Sequence, residues 1–379
     1  MATPRQTLAR TSLVRHLSEL TDPRKESLCE HLFLEILLMA LMAILCGAEA
    51  WDEIHDWASS KEPMLRKMLT LPNGIPSADT FRRVFARLRP YAFERAFRGW
   101  IDEMIDTHGA RWIAIDGKTV RGVAKRTDGE RNLHLVHAWC TRNGLLLGQV
   151  ATDAKSNEIT AIPELLRVLD LEGAIVTIDA MGCQRAIAAQ IIEGGGDYVL
   201  RLKDNQPTLH AAVQAAVDRV RETAPDASSG WSSSLSEGHG RSEIRRVITA
   251  DASTMTDRWE GLRSCGVIEC ERTEKGRTSI ESHYFIASLL HHDAEAPGTV
   301  MRAHWGIENG LHWTLDVGFR EDQCAVHEGH APENLSLLRK IALTLLKEDT
   351  SFKAGIQRKR KRAGWDEAYL RGLLTREIT

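Results

Sequence analysis

Along residues 1–92 the apolar positions recur at the three- and four-residue spacing of helices. Leu32 to Cys46 is apolar on every side and interrupted only by Glu35. That pattern predicts a helix buried all round, and the run falls short of the roughly 18 residues that a membrane span needs. Helical spacing continues through Trp51 to Trp57 and Met64 to Leu71, and Pro72-Asn73-Gly74 then marks a turn. Ser77 to Leu88 has an N-cap serine and the apolar stripe Phe81, Val84, Phe85 and Leu88, with Arg82, Arg83 and Arg87 on other faces. A short turn into an arginine-bearing helix is compatible with a helix-turn-helix that contacts DNA, although an ordinary amphipathic helix carries arginines just as commonly.

From about Arg111 the period changes to that of strands. Trp112 to Gly117, Leu133 to Cys140 and Leu145 to Ala151 are strand candidates, the last two joined by a turn containing Asn143-Gly144, a strong hairpin signal. A helix with Pro163 in its first turn follows, then the strand Ala174 to Asp179 and a helix that stops at Gly194-Gly195-Gly196. Tyr198 to Lys203 is a fifth strand, and Pro207 opens another helix. Three strands, helix, strand, helix, strand, helix is the order of an α/β sheet with an antiparallel start. Pro225 to Glu237 is rich in Ser, Gly and Asp and predicts a linker, while Ser242 to Ala250, Cys265 to Arg272 and Ser279 to Leu289 alternate like antiparallel strands.

Pro297-Gly298 then breaks the backbone, and Thr299 is a candidate N-cap for a helix carrying His304, Glu308 and His312 on one face. Trp305 and Trp313 flank that stripe as candidate anchors, and Gly306 and Gly310 make sense where something approaches closely. The chain ends helical, with the basic run Arg358 to Arg362 as either a solvated tail or a phosphate contact. The expected organisation is a helical region at 1–92, an α/β core at 93–225, a β-rich insertion at 226–298 and the returning core with a helical C-terminus at 299–379.

Composition narrows the class. The chain is 43% hydrophobic and 27% charged with a net charge of −3, so any nucleic-acid surface is a local patch. Seven cysteines without a C-x-x-C pair point to reduced thiols in a cytoplasmic protein rather than a disulfide framework or zinc ribbon.

Asp116 and Asp179 each fall at the end of an apolar strand, where α/β sheets place functional groups. A turn aspartate bonded to its own backbone is the alternative for either. Glu308 lies on a helix able to pack across the sheet, and three such carboxylates repel one another unless a divalent cation sits among them. Oxygen-only ligands suit magnesium or manganese, and two such ions can activate a phosphodiester for in-line attack. Lys118, Arg121, Arg201 and Lys203 lie near this edge as candidate phosphate contacts. His304 and His312 do not form the H-E-x-x-H zinc motif, which leaves packing or DNA contact for them.

These residues, with IDGKTVRG (115–122), KSNEITAIPELL (155–166), DAMGCQ (179–184), DYVLRLKDNQP (197–207), GHGRSEIRR (238–246), HWGIENGLHWTLDVGFRED (304–322) and HAPENLSLLRKIALTLL (330–346), resemble the insertion-sequence transposases of the ISAs type, which include the H-repeat-associated proteins. The resemblance covers nearly the whole chain. It implies a ribonuclease H-like core with a β-rich insertion, preceded by the helical DNA-binding region, and metal ligation and catalysis by the D-D-E triad Asp116, Asp179 and Glu308. It further implies two Mg2+ (or Mn2+) ions and double-stranded DNA as partner, as terminal inverted repeats and as target. A homodimer assembled on DNA, acting at the nucleoid and not at a membrane, is also implied. The related Y-R-E-K signature is not matched, since Met301, His304 and Leu315 occupy those places. A nuclease that only cuts and a domesticated DNA-binding protein without catalysis are the rival readings.

Overall fold

The computed structural model describes residues 3–105, 111–126, 133–152, 158–203, 205–223, 230–238 and 241–375. The apolar run becomes the helix Phe33–Leu45, in which every residue from Glu35 onward is buried. Glu35 tolerates this because its carboxylate accepts the backbone N–H groups of Thr70 and Leu71. The helix lies against the long helix Ala331–Glu348, which also packs on the helices Ala78–Arg87 and Pro90–Met104. Asn334 fastens this joint by donating to the carbonyls of Phe85 and Leu88, both at 2.8 Å. N- and C-terminal segments therefore share one helical layer.

The basic run is only partly solvated. It lies in the helix Ile356–Trp365, and Arg360 donates to the carbonyls of Ile44, Ala48 and Gly318 while its guanidinium stacks 4.3 Å from the Phe319 ring. One guanidinium thus serves carbonyls at the C-terminal ends of two helices. Lys359 is likewise buried on the carbonyls of Leu346 and Asp349. These two side chains are structural rather than free for phosphates.

The strands are β1 (Trp112–Val120), β2 (Leu133–Cys140), β3 (Leu145–Thr152), β4 (Ile175–Ile178), β5 (Asp197–Leu202), β6 (Trp231–Gly238), β7 (Arg241–Asp251), β8 (Ser264–Glu274) and β9 (Arg277–Ala287). They form a single sheet in the order β3-β2-β1-β4-β5-β9-β8-β7-β6. β1 to β3 are antiparallel, and β1, β4 and β5 run parallel, as the order of elements predicts. After β5 the helix Pro207–Thr223 packs over β7 and β8 and carries the chain toward the far edge. The meander β6 to β9 then returns until β9 pairs antiparallel with β5. The β-rich block is therefore a continuation of the core sheet. Residues 231–237, expected to belong to a linker, fall in β6 instead; residues 225–229 of that stretch lie outside the described part.

β9 delivers the helix Glu295–His304 onto β1, β4 and β5. This helix starts earlier than the Pro297-Gly298 pair suggests. Pro297 falls in its first turn, where a missing N–H leaves nothing unsatisfied, so it opens the helix rather than breaking it. Gly298 is required by close approach: a Cβ there would lie 2.6 Å from Val247 Cγ2 on β7.

Candidate active site

Parallel pairing of β1 with β4 ends at Ile115 and Ile178. The next residues on the two strands are Asp116 and Asp179. β1 continues as far as Val120 on its β2 side, so Asp116 lies within the strand, opposite His137, rather than at its end. Each aspartate is oriented through one oxygen. Asp116 Oδ1 accepts from Gly117 N at 2.9 Å, and Asp179 Oδ1 accepts from Met181 N at 2.9 Å, capping the short 3-10 turn Ala180–Gly182. The backbone-bonded geometry expected of turn aspartates is present, and it leaves the second oxygen of each for other work.

The third acid comes from the far side of the cleft. Beyond the helix Glu295–His304 the chain makes a π-helical turn, Glu308–His312, before the helix Trp313–Phe319. A four-residue step overshoots the 3.6-residue turn by roughly 40°, and the wider π turn takes up that overshoot. His304 and His312 consequently both reach the sheet: His304 Nδ1 lies 2.8 Å from Thr177 Oγ1, and His312 Nε2 lies 3.1 Å from His137 Nδ1. Burial pushes His304 down to about 4 and His312 down to about 3, so both are neutral near pH 7. The 3.7 Å approach of His312 Nδ1 to Asp116 Oδ2 is accordingly a polar contact rather than an ion pair. Glu308, between the two histidines, is exposed and lines a cavity of about 130 Å³ together with Asp116 and Asp179. Trp305 borders the same cavity, whereas Trp313, expected to anchor the helix, is 61% exposed. Gly310 packs under Trp139, and Gly306 faces open space.

Burial pushes the Asp116 carboxyl up to about 7; the Gly117 N–H opposes this, while the charges of Glu158, Glu308 and Asp179 add to it. Glu158 escaped the sequence reading as a separate residue, although it lies within the KSNEIT motif. Its carboxylate sits 2.9 Å from His134 Nε2, and a Cβ on Gly117 would meet Glu158 Oε1 at 2.1 Å. A side chain at position 117 would therefore have to displace the Glu158–His134 pair. Because the folded value of Asp116 is raised, its contribution to stability is complete below its ordinary value of 3.8 and is lost as pH rises through about 7. In protein stripped of divalent cations, Asp116→Asn is expected to flatten that fall and to raise Tm at pH 8 by several degrees. A Tm difference that stays constant across this window would contradict the assignment.

The candidate phosphate contacts divide sharply. Lys118 is 7% exposed, with its Nζ 2.6 Å from Asp316, 3.2 Å from Asp322 and 3.3 Å from Glu321, so it is committed to the interior. Arg82 pairs with Asp79 and Glu328, and Arg83 pairs with Asp79. Arg87, Arg121 and Lys203 are exposed, Arg121 lying 3.6 Å from Asp322. Arg201 lines the acid cavity, and His304 and His312 are buried. Arg245, His283 and Arg302 also line the cavity and were not singled out from the sequence. Only the RSEIRR segment signalled Arg245.

Among the described residues no three His, Cys, Asp or Glu side chains already converge closely enough to hold a metal ion. The donor chemistry nevertheless suits a hard cation: all three acids offer oxygen, and two of them are pre-oriented with one oxygen free.

The family model "Transposase DDE domain" matches residues 107–345, and the model "DDE_Tnp_1-associated" matches residues 14–101. The "H repeat-associated putative transposase YhhI" of Escherichia coli (strain K12) is 38% identical over 370 residues, covering 96% of this chain and 97% of that protein. An "Uncharacterized protein in dhlA 3'region" of Xanthobacter autotrophicus is 42% identical over 272 residues, 70% of this chain and 91% of that protein. Among solved structures, a piggyBac transposase synaptic complex with hairpin DNA aligns over 98% of this chain and 81% of that one, at 10% identity and a TM-score of 0.43, too loose a likeness to bear on the fold. With the DDE domain model spanning well over half of its length and relatives matching nearly end to end, the chain belongs to the DDE transposase family.

Proposed function

We propose that the protein is a DNA transposase that cleaves the ends of its own insertion sequence and joins them to target DNA. The observation that carries this reading is the gathering of Asp116, Asp179 and Glu308, from three separate segments, around one cavity. An antiparallel three-stranded start followed by two parallel strands supports a ribonuclease H-like core, extended by the β6 to β9 block. In this reading residues 1–92 contribute to recognition of the terminal inverted repeats, and the protein works as a homodimer assembled on double-stranded DNA in the cytoplasm, at the nucleoid.

Asp116, Asp179 and Glu308 are the residues that would hold divalent cations, and Mg2+ or Mn2+, as a pair, supplies Lewis-acid polarisation of the phosphodiester. The backbone N–H groups of Gly117 and Met181 fix the two aspartates before substrate arrives, while the exposed Glu308 side chain is free to adjust. Hydrolysis at the element end breaks the P–O3′ bond and leaves a 3′-hydroxyl. That hydroxyl then attacks a target phosphodiester, forming a new P–O bond as the target's own 3′-oxygen leaves. Trp305 and the neutral, buried His304 wall the cavity and limit water around the reacting phosphate.

Cleavage of a duplex bearing an element end is expected with Mg2+ or Mn2+, whereas Ca2+, with its looser coordination, is expected to support binding without cutting. Undiminished cleavage in excess EDTA would overturn the metal-dependent mechanism.

A further inference from the structure

Register across the sheet places a second set of groups level with the acids. Ile178 on β4 faces Leu200 on β5, so Asp179 and Arg201 are one strand apart, roughly 5 Å between backbones. Arg201 pairs with Phe285, two residues from His283 on β9 and so on the same sheet face; His283 pairs with Ile268 on β8. Cys270, again two residues on, pairs with Arg245 on β7. Arg201, His283 and Arg245 therefore share the face on which the acids lie, and all three line the acid cavity.

Their hydrogen bonds are incomplete in a consistent way. Arg201 Nη2 lies 2.7 Å from His283 Nδ1, and a guanidinium can only donate, so Nδ1 accepts and the imidazole proton sits on Nε2. That Nε2–H has no hydrogen-bond partner among the described residues; the Glu281 carboxylate, at 3.6 Å, is too distant. The Nε–H of Arg201 and the Nη1 of Arg245 are also buried without a partner among the described residues. Arg245 is held from behind by the buried Glu243 and lies 5.8 Å from the Trp305 ring centroid. Three buried donors without acceptors, on residues around one cavity, are a site prepared for an anion.

We propose that Arg201, Arg245 and His283 form a phosphate-binding subsite that grips the DNA backbone phosphate next to the one undergoing attack. The assignment rests on the transposase reading, which supplies the DNA. It gives the β6 to β9 block a function: the meander brings Arg245 and His283 beside the acids and so sets which nucleotide lies at them.

The test uses the full-length protein and a short duplex ending at the element terminus, with the phosphates flanking the cleavage point replaced one at a time by neutral methylphosphonates. Affinity is read in EDTA, where no cleavage occurs. Wild-type protein is expected to bind about tenfold more weakly when one particular flanking phosphate is neutral. Arg245→Gln is expected to lose about tenfold on unmodified DNA and nothing further at that position. Arg201→Gln, which leaves the Arg245–Glu243 pair intact, runs the same comparison if the Arg245 variant does not fold. Equal penalties in wild type and variants, or no penalty at any flanking phosphate, would overturn the subsite while leaving the transposase reading intact. Failure of the wild-type protein to prefer the element end over a scrambled duplex would remove both.

Discussion

Single alanine replacements of Asp116, Asp179 and Glu308 are expected to abolish cleavage and strand joining, each by at least about 10³-fold, with binding to element ends preserved. The acids act as a unit around a shared cavity, so removing one oxygen ligand misplaces the cations that stabilise charge in the transition state instead of weakening a single contact. Double mutants should therefore be no worse than single ones. The choice of control matters. His312 and Asp316 lie beyond Glu308 in the same segment, but His312 lies 3.7 Å from Asp116 and Asp316 holds Lys118, so neither is an inert control. Val317→Ala, 42% exposed on the outer side, is the matched substitution expected to keep activity. Retention of activity by Glu308→Ala, measured as cleaved and joined product on a labelled duplex, would show that the third acid has been assigned to the wrong residue.

Lys118→Met is expected to destabilise the protein by about 3–5 kcal/mol, because it strips the cation from a buried cluster of acids. Glu321 is fully buried; burial alone would raise its carboxyl, but Lys340, Lys118 and Arg339 outweigh that and hold it at about 2. Lys340, with one acid and two cations beside it, shows the reverse balance: burial wins and brings it down to about 8. Lys118 also ties β1 to the segment after the glutamate helix through Asp316 and Asp322, so its loss loosens the seat of the acids. Arg121, three residues later and 75% exposed, is the comparison; Arg121→Ala should change stability by no more than about 0.5 kcal/mol. Urea denaturation of both variants gives the answer, and similar small losses would mean that Lys118 is solvated in solution.

Much of the first half of the core was legible because its signals are local. Asn143-Gly144 dictates the hairpin between β2 and β3, with Gly144 at φ +66°, and the run ending at Leu45 can only be a helix buried on all sides. Ser77 caps its helix as its position predicts. Asp116, Asp179 and Glu308 stood out as acids against apolar elements, and the family resemblance joined them.

Other features had no local signature. β6 reads WSSSLSEG and becomes a strand only because β7 offers a partner. Pro297 marks a helix start or a break with equal force in the sequence, and the seat of Gly298 against Val247 decides for the start. Lys118 and Arg121 looked alike as cations after Asp116. Burial against Glu321 makes one structural, while the other stays in solvent at the edge of Asp322. Arg245 and His283 lie far along the chain from Asp116, and the return of the meander beside β5 alone brings them to the acids. The sequence determined by itself the features that follow from periodicity and turn chemistry, because each depends on neighbours a few residues away. Only the tertiary structure decided which charges are buried, which donors lack acceptors and which walls face the triad, because those depend on pairing across the sheet between strands far apart in the chain.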